Sequence, residues 1–251
     1  MTTKDLRARL GLPAKGAIVA TDGDKGGVGK SFTGRTLAHC MHHWGVPWLG
    51  VDGDPRNAHL ARYYGATASV ARMPLRQASD WDQLLDYIEK AVPEDHVVLI
   101  DTPAGAGDMV RERGPWLKAL AAHLGRNFLR LFALDEEDDV LMALARTRDT
   151  LGYDNVAAVL NGRFGSNPEA FELWNEPTVD GSSLRQQVLA AGGLEVYAPA
   201  LPVRVRAHVR RERIPFHQAK NLDALTFADH RNLEAWLLSI QTAFAPLRAR
   251  L

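Results

Sequence analysis

The residues best equipped for chemistry lie where an apolar run, Ile18-Val19-Ala20-Thr21, passes through Asp22-Gly23-Asp24-Lys25-Gly26-Gly27-Val28-Gly29-Lys30-Ser31 into a segment of helical period. Glycines at a strand-to-helix junction let the backbone bring its N–H groups within hydrogen-bonding distance of phosphate oxygens, and the helix dipole adds positive potential there. Lys30 would supply a point charge to the β- and γ-phosphates of a nucleotide, and the Ser31 hydroxyl is placed to ligate Mg²⁺. Two carboxylate clusters follow, each at the end of an apolar run. Trp48-Leu49-Gly50-Val51 leads into Asp52-Gly53-Asp54-Pro55-Arg56-Asn57, and Val97-Val98-Leu99-Ile100 leads into Asp101-Thr102-Pro103-Ala104-Gly105. Carboxylates at strand ends face the crevice where open α/β sheets bind ligands, and Asp101 there can hold Mg²⁺ through a bound water. A plainer reading of Asp54 and Asn57 is capping of the next helix. Asn161 ends the run Ala157-Ala158-Val159-Leu160 and offers a purine edge both a donor and an acceptor, or simply opens the turn Asn161-Gly162.

Side chains spread this far along a chain meet only if several strands end at one edge. Short apolar runs at 17–21, 48–51, 97–100, 128–134, 156–160 and 195–198 alternate with helical patterns at 31–44, 81–90, 109–123, 140–151, 183–191 and 232–244. That alternation predicts a three-layer α/β/α fold with a mostly parallel, twisted sheet. The 251 residues, 46% hydrophobic, suit one such domain over 17–251, preceded at 1–16 by an arm or a short helix, too short for a helix-turn-helix. The stretch 162–181, rich in turn formers, reads as a surface insertion.

Composition narrows the classes further. Lys and Arg number 30, as do Asp and Glu, so no net field draws the molecule to nucleic acid or anionic lipid, and any such contact needs a local patch. Cys40 is the only cysteine, which excludes an intrachain disulfide and a multi-thiolate cluster. No run approaches the roughly 18–20 apolar residues of a membrane span, and the polar start lacks a signal-peptide core, so a cytoplasmic location is expected.

The loop Lys25-Gly26-Gly27-Val28-Gly29-Lys30-Ser31 resembles the deviant Walker A motif KGGxGK[ST] of the ParA/MinD-type ATPases, SIMIBI-class P-loop NTPases, with Lys25 as the distinguishing residue. The resemblance implies ATP and Mg²⁺ as ligands, ATP hydrolysis, and an ATP-dependent homodimer in which Lys25 reaches the partner's phosphates. Nucleotide contacts would come from Gly26, Gly27, Val28, Gly29, Lys30, Ser31 and Phe32. The DxDP-like element implies that Asp54 orients the attacking water and that Asp52 supports the Mg²⁺ shell with Ser31 and Asp101. The DTPAG run is similar to the family's second switch, with Gly105 and Gly107 as hinges, while Asn161 and Pro202 resemble its base-side residues.

Outside these motifs, Arg204, Arg206, Arg210, Arg211 and Arg213 form the one dense basic segment, opposed only by Glu212. As one exposed face it would contact DNA phosphates without reading bases. Its alternatives are pairing with the acidic residues Asp135, Glu136, Glu137, Asp138 and Asp139, or contact with an adaptor or activator protein. The acidic run reads as a solvated loop whose last acids favour the next helix's positive end, and His39, His42 and His43 read as surface or core residues rather than metal ligands. The expected function is thus a switch that positions or partitions DNA, in plasmid or chromosome partition or as a conjugative-transfer accessory. A MinD-like or protein-cargo role is the runner-up. Membrane attachment is disfavoured because the tail at 233–251 carries Pro246 and few basic residues. A synthetase or iron-protein role lacks the substrate site or cysteines it would need.

Overall fold

The computed structural model describes residues 3–23 and 25–251. Seven parallel strands, β1 (Ile18–Asp22), β2 (Trp48–Asp52), β3 (Val70–Arg72), β4 (Val97–Asp101), β5 (Phe128–Leu134), β6 (Val156–Asn161) and β7 (Leu194–Ala198), form one sheet in the order β3-β2-β4-β1-β5-β6-β7. All strand C-termini therefore share one edge. Successive residues face opposite layers: Val19 packs with Leu37, Leu99 and Ile240 on one side, whereas Ile18 and Ala20 pack with Leu84, Val98 and Leu117 on the other. Helices Lys30–Trp44, His59–Tyr64, Val203–Glu212 and Phe227–Phe244 contribute to the first layer. The opposite layer includes Ala78–Ala91, Gly107–His123 and Asp138–Ala145.

The α/β/α architecture read from the alternation is present, with four local differences. Strand β3 and helix His59–Tyr64 fall in a segment that had no assigned element. The helix expected over 140–151 is two, Asp138–Ala145 and Arg148–Leu151, because the Thr147 hydroxyl bonds the Leu144 carbonyl and receives Arg130 at the break. The stretch 162–181 is not merely superficial: Phe171 and Trp174 are buried in the core, and Trp174 Nε1 donates to Glu195 Oε2 at 2.7 Å. Finally, the last helix starts at Phe227, where Thr226 and Asp229 cap it reciprocally, rather than at the expected 232, and it buries Leu233, Trp236, Ile240 and Phe244. Among the described residues no helix is long and apolar enough to cross a membrane.

Arg130 sits mid-strand in β5, fully buried, and reaches Asp22 Oδ2 at 3.2 Å, Asn155 Oδ1 at 2.9 Å and the Gly152 carbonyl at 2.8 Å. Asp22 also accepts from the Gly23 amide at 2.7 Å, so this pair anchors the start of the glycine loop. Removing one partner leaves a buried charge uncompensated. Arg130→Ala should cost about 3–5 kcal/mol of stability, read from the urea midpoint. Arg130→Met combined with Asp22→Asn should recover most of that loss.

The histidines divide as packing demands. His39 is buried, its Nε2 accepting from Gln241 Nε2 at 3.1 Å, while His42 stacks on His217 with centroids 3.9 Å apart. Among the described residues no three metal-capable side chains come together. Burial first, and then His217, His43, His42 and Lys220, push the His39 pKa down to about 3. Its neutral form thus contributes stability that is complete above pH about 6.5 and is lost progressively as pH falls towards 3. Between pH 7 and 5 the chain should lose about 2 kcal/mol on this account, and His39→Gln should flatten the dependence in urea melts.

Candidate functional site

The glycine loop leaves β1 at the middle of the sheet, and its last glycine shows why that residue type is needed. Gly29 has φ 113°, and a Cβ there would lie 2.4 Å from Asn161 Nδ2. Helix Lys30–Trp44 starts immediately after, so its unpaired N–H groups and positive end point into the loop. Lys30 is buried, and its Nζ donates to the carbonyls of Gly23 at 2.6 Å and Lys25 at 2.9 Å.

Gly27, Gly29, Lys30, Ser31 and Phe32 share one cleft of about 300 Å³ with Asp54, Asn57, Thr102 and Ala104. The loop, both carboxylate-bearing strand ends and the turn after Asp101 therefore converge, since β4 lies beside β1 and β2 beside β4. Asp54 Oδ1 accepts from the amides of Arg56 at 2.8 Å and Asn57 at 3.0 Å, a local turn rather than a helix cap. Its Oδ2 has no partner among the described residues. Asp52 and Asp101 are register partners on β2 and β4, both buried below the cleft. Thr21 Oγ1 donates to Asp101 at 3.1 Å and also accepts from the Thr102 amide at 2.9 Å, which pins the following turn to β1. Burial and then the Asp52 charge push the Asp101 pKa up to about 7, against hydrogen bonds from Ser31 and Thr21. Burial likewise raises Asp52, against the amides of Ala61 and Asp54. Of the two glycines expected as hinges, Gly105 takes φ 73° with open space around it, whereas Gly107 already begins a helix.

A second cleft, of about 160 Å³, opens on the other side of the loop and is lined by Gly29, Phe32, Asn161, Arg163, Leu201 and Arg206 among others. Asn161 Nδ2 donates to the Val28 carbonyl at 2.8 Å and its Oδ1 accepts from the Arg163 amide at 3.1 Å, so the side chain braces the loop while keeping one N–H and one lone pair. Pro202 stands just outside, at the N-cap of Val203–Glu212, and Ala200 and Leu201 supply the wall. Arg35 was absent from the sequence reading although it lies four residues after Ser31 and so on the same helix face. It lines both clefts, with its guanidinium 4.0 Å from the Tyr63 ring centroid.

Lys25 points elsewhere. Its Nζ lies 3.5 Å from Asp135, on the loop after β5, and 3.6 Å from Asp139, in the first turn of helix Asp138–Ala145. Partial desolvation opposes its charge, but Asp135, Asp139 and Glu137 together raise its pKa. The acidic loop is thus only partly solvated, since Asp135 is buried, and it meets a lysine rather than the arginines. The basic segment divides: Arg204 pairs with Asp229 at 3.2 Å, outside the groove that Arg206, Arg210 and Arg213 line, while Arg211 pairs with Glu212 at 2.9 Å and lines a second groove together with those three.

No protein-family model matches the chain. It is 28% identical over 220 residues to Protein MobD of Acidithiobacillus ferrooxidans, covering 88% of this chain and 92% of that protein. Its structure is similar to a nucleotide-binding protein of Archaeoglobus fulgidus in complex with ADP, at TM-score 0.50 and 16% identity over 84% of this chain and 92% of that one. The fold is that of the P-loop nucleotide-binding proteins. The ParA/MinD resemblance carried by Lys25-Gly26-Gly27-Val28-Gly29-Lys30-Ser31 holds at that level. The septum site-determining protein MinD of Pyrococcus horikoshii, solved with Mg-ADP, is a further similar structure, at TM-score 0.47 and 18% identity over 94% of this chain and 99% of that one.

Proposed function

We propose that the chain is an ATP-hydrolysing switch of the ParA/MinD type, acting in the cytoplasm, whose copies close face to face on ATP and in that state hold DNA or an adaptor protein. Plasmid or chromosome partition and accessory work in conjugative transfer are the settings this fits. The observation that carries the reading is the single cleft in which Lys30, Ser31, Asp54 and Thr102 meet, with Lys25 left outside it on the acidic loop. Lys30 exchanges its loop carbonyls for the β- and γ-phosphates. Asn161 and the Leu201 wall take the base, with Phe32 between base and phosphate clefts.

The residue types fit a hydrated Mg²⁺: the Ser31 hydroxyl is near enough to Asp101 to lower its pKa, and Asp52 is the register partner of Asp101. Bound there, the ion would neutralise charge developing on the transferred phosphoryl group. Asp54 keeps one carboxylate oxygen free toward the cleft, the arrangement required to orient a water.

DNA contact is the part of the reading that rests on the exposed arginines Arg204, Arg206, Arg210, Arg211 and Arg213. Non-specific binding by the ATP-bound protein to random duplex should weaken linearly on a log–log salt plot, with a slope of about −0.9 per phosphate neutralised. Arg204→Ala with Arg211→Ala should make that slope shallower for unrelated sequences alike, measured by fluorescence anisotropy. Undetectable binding at low salt would shift the cargo to a protein.

A further inference from the structure

Two opposite charge clusters lie on the strand-C-terminal face without meeting. The acidic 135–139 segment, a loop that runs into the first turn of helix Asp138–Ala145, follows β5, and Glu136, Glu137 and Asp138 are exposed with no ion pair among the described residues. Across the phosphate cleft, a groove of about 530 Å³ is lined by Arg62, Arg163, Arg206, Arg210 and Arg213, with Arg35 in its floor and no carboxylate in its lining. Arg62, Arg206, Arg210 and Arg213 make no ion pair among the described residues. The groove borders the cleft through Phe32, Arg35, Asn57 and His59, and the acidic segment pairs with Lys25 of the glycine loop. In a chain of zero formal net charge, each cluster is the complement of the other.

We propose that the occupant of this groove is the acidic 135–139 loop of a second copy of the chain. The inference rests on the face-to-face switch reading. A twofold axis through a shared face makes any loop-to-groove contact occur twice, because residue i meets j and j meets i. Guanidinium groups from several elements of the groove suit the carboxylates of one short segment, here the loop 135–137 and the first turn of helix Asp138–Ala145, which they can engage bidentately. A duplex presents phosphates on the outside of a wide cylinder, and the aromatic rings beneath the groove, Tyr63 and Phe216, are buried and offer no stacking platform for single strands. Closure also resolves the bond seen within one copy: as Lys25 leaves Asp135 and Asp139 for the partner's nucleotide, the partner's arginines replace it. On this assignment Arg206, Arg210 and Arg213 serve the dimer, while Arg204 and Arg211 remain outward for cargo.

The test is a charge exchange read by light scattering with a non-hydrolysable ATP analogue. The groove variant is Arg62→Glu with Arg210→Glu, and the loop variant is Glu136→Arg with Glu137→Arg; none of these residues lines the phosphate or base cleft. Each variant alone should bind the analogue as wild type does but dimerise on the order of a hundredfold more weakly, since like charges are forced together at both contacts. An equal mixture should recover a one-to-one dimer near wild-type strength, because both of its contacts are again complementary. Dimerisation of either variant alone, or a mixture that stays monomeric, overturns the loop contact while leaving the switch reading intact. A groove variant that dimerises normally but loses duplex binding overturns it likewise and gives the groove to DNA. A wild-type chain that stays monomeric with the analogue removes the switch reading itself, and this inference with it. If a reversal unfolds the chain, the neutral pair Arg210→Gln and Glu137→Gln carries the same test as a double-mutant cycle, where additive effects on dimerisation overturn the contact.

Discussion

Lys30→Ala should lower ATP affinity by about a hundredfold or more in calorimetric titration, whereas Asp54→Ala should leave affinity nearly unchanged and reduce turnover. The first expectation follows from charge. A hydrogen bond to a charged group contributes about 1.5–3 kcal/mol, and Lys30 is the loop's only cation within the phosphate cleft, so losing its ammonium removes on the order of 3 kcal/mol of phosphate binding. The second follows from geometry. Asp54 lines the cleft, one of its oxygens is committed to its own turn, and the other makes no hydrogen bond among the described residues. A carboxylate so placed acts on water rather than on the resting nucleotide, and its removal should lower the rate by about 10²–10⁴-fold. Wild-type hydrolysis by Asp54→Ala would sink that assignment, and unaltered ATP binding by Lys30→Ala would sink the phosphate site as a whole.

Dimerisation should depend on ATP and on Lys25 together. Asp54→Ala with ATP is expected to run as a dimer in light scattering, and adding Lys25→Ala should return it towards monomer while retaining most nucleotide affinity. Lys25 lies outside both clefts in a single copy, so its loss removes little from the binding of ATP there. Its contribution arises when a second triphosphate comes within reach and three or more negative charges need a further cation. Lys25→Gln should behave as Lys25→Ala, because length without charge cannot substitute. An oligomer indifferent to ATP and to Lys25 would contradict the switch.

The parts of the site that lie on strand ends were legible from residue order alone. Apolar runs closing on Asp52, Asp101 and Asn161 are local patterns, and in a parallel sheet each such end must reach the same edge. Strand β3 escaped notice because it is only Val70-Ala71-Arg72 at the sheet's edge, half exposed and too short for a period to register. Phe171 and Trp174 were hidden by the turn formers around them, although two large aromatics in a supposed surface loop are themselves a burial signal. The split of the arginines could have been found by helical spacing, since Arg206, Arg210 and Arg213 recur on one side and Arg204, His208 and Arg211 on another. The pairing of Lys25 with Asp135 could not. It arises because β5 lies beside β1 in the sheet, and strand order across a crossover leaves no mark in either local segment.

The two lysines of the glycine loop are connected in series. Lys30 Nζ holds the Lys25 carbonyl at 2.9 Å, and Lys25 Nζ holds Asp135 at 3.5 Å. Drawing Lys30 toward a phosphate releases the backbone at Lys25, and so loosens the tether that keeps the second lysine at home. Thermodynamic reciprocity then runs the other way: if nucleotide weakens the Lys25–Asp135 pair, whatever pulls Lys25 off Asp135 favours nucleotide by the same factor. A partner that never touches ATP could thereby set how tightly the chain retains it, simply by competing for one ammonium group.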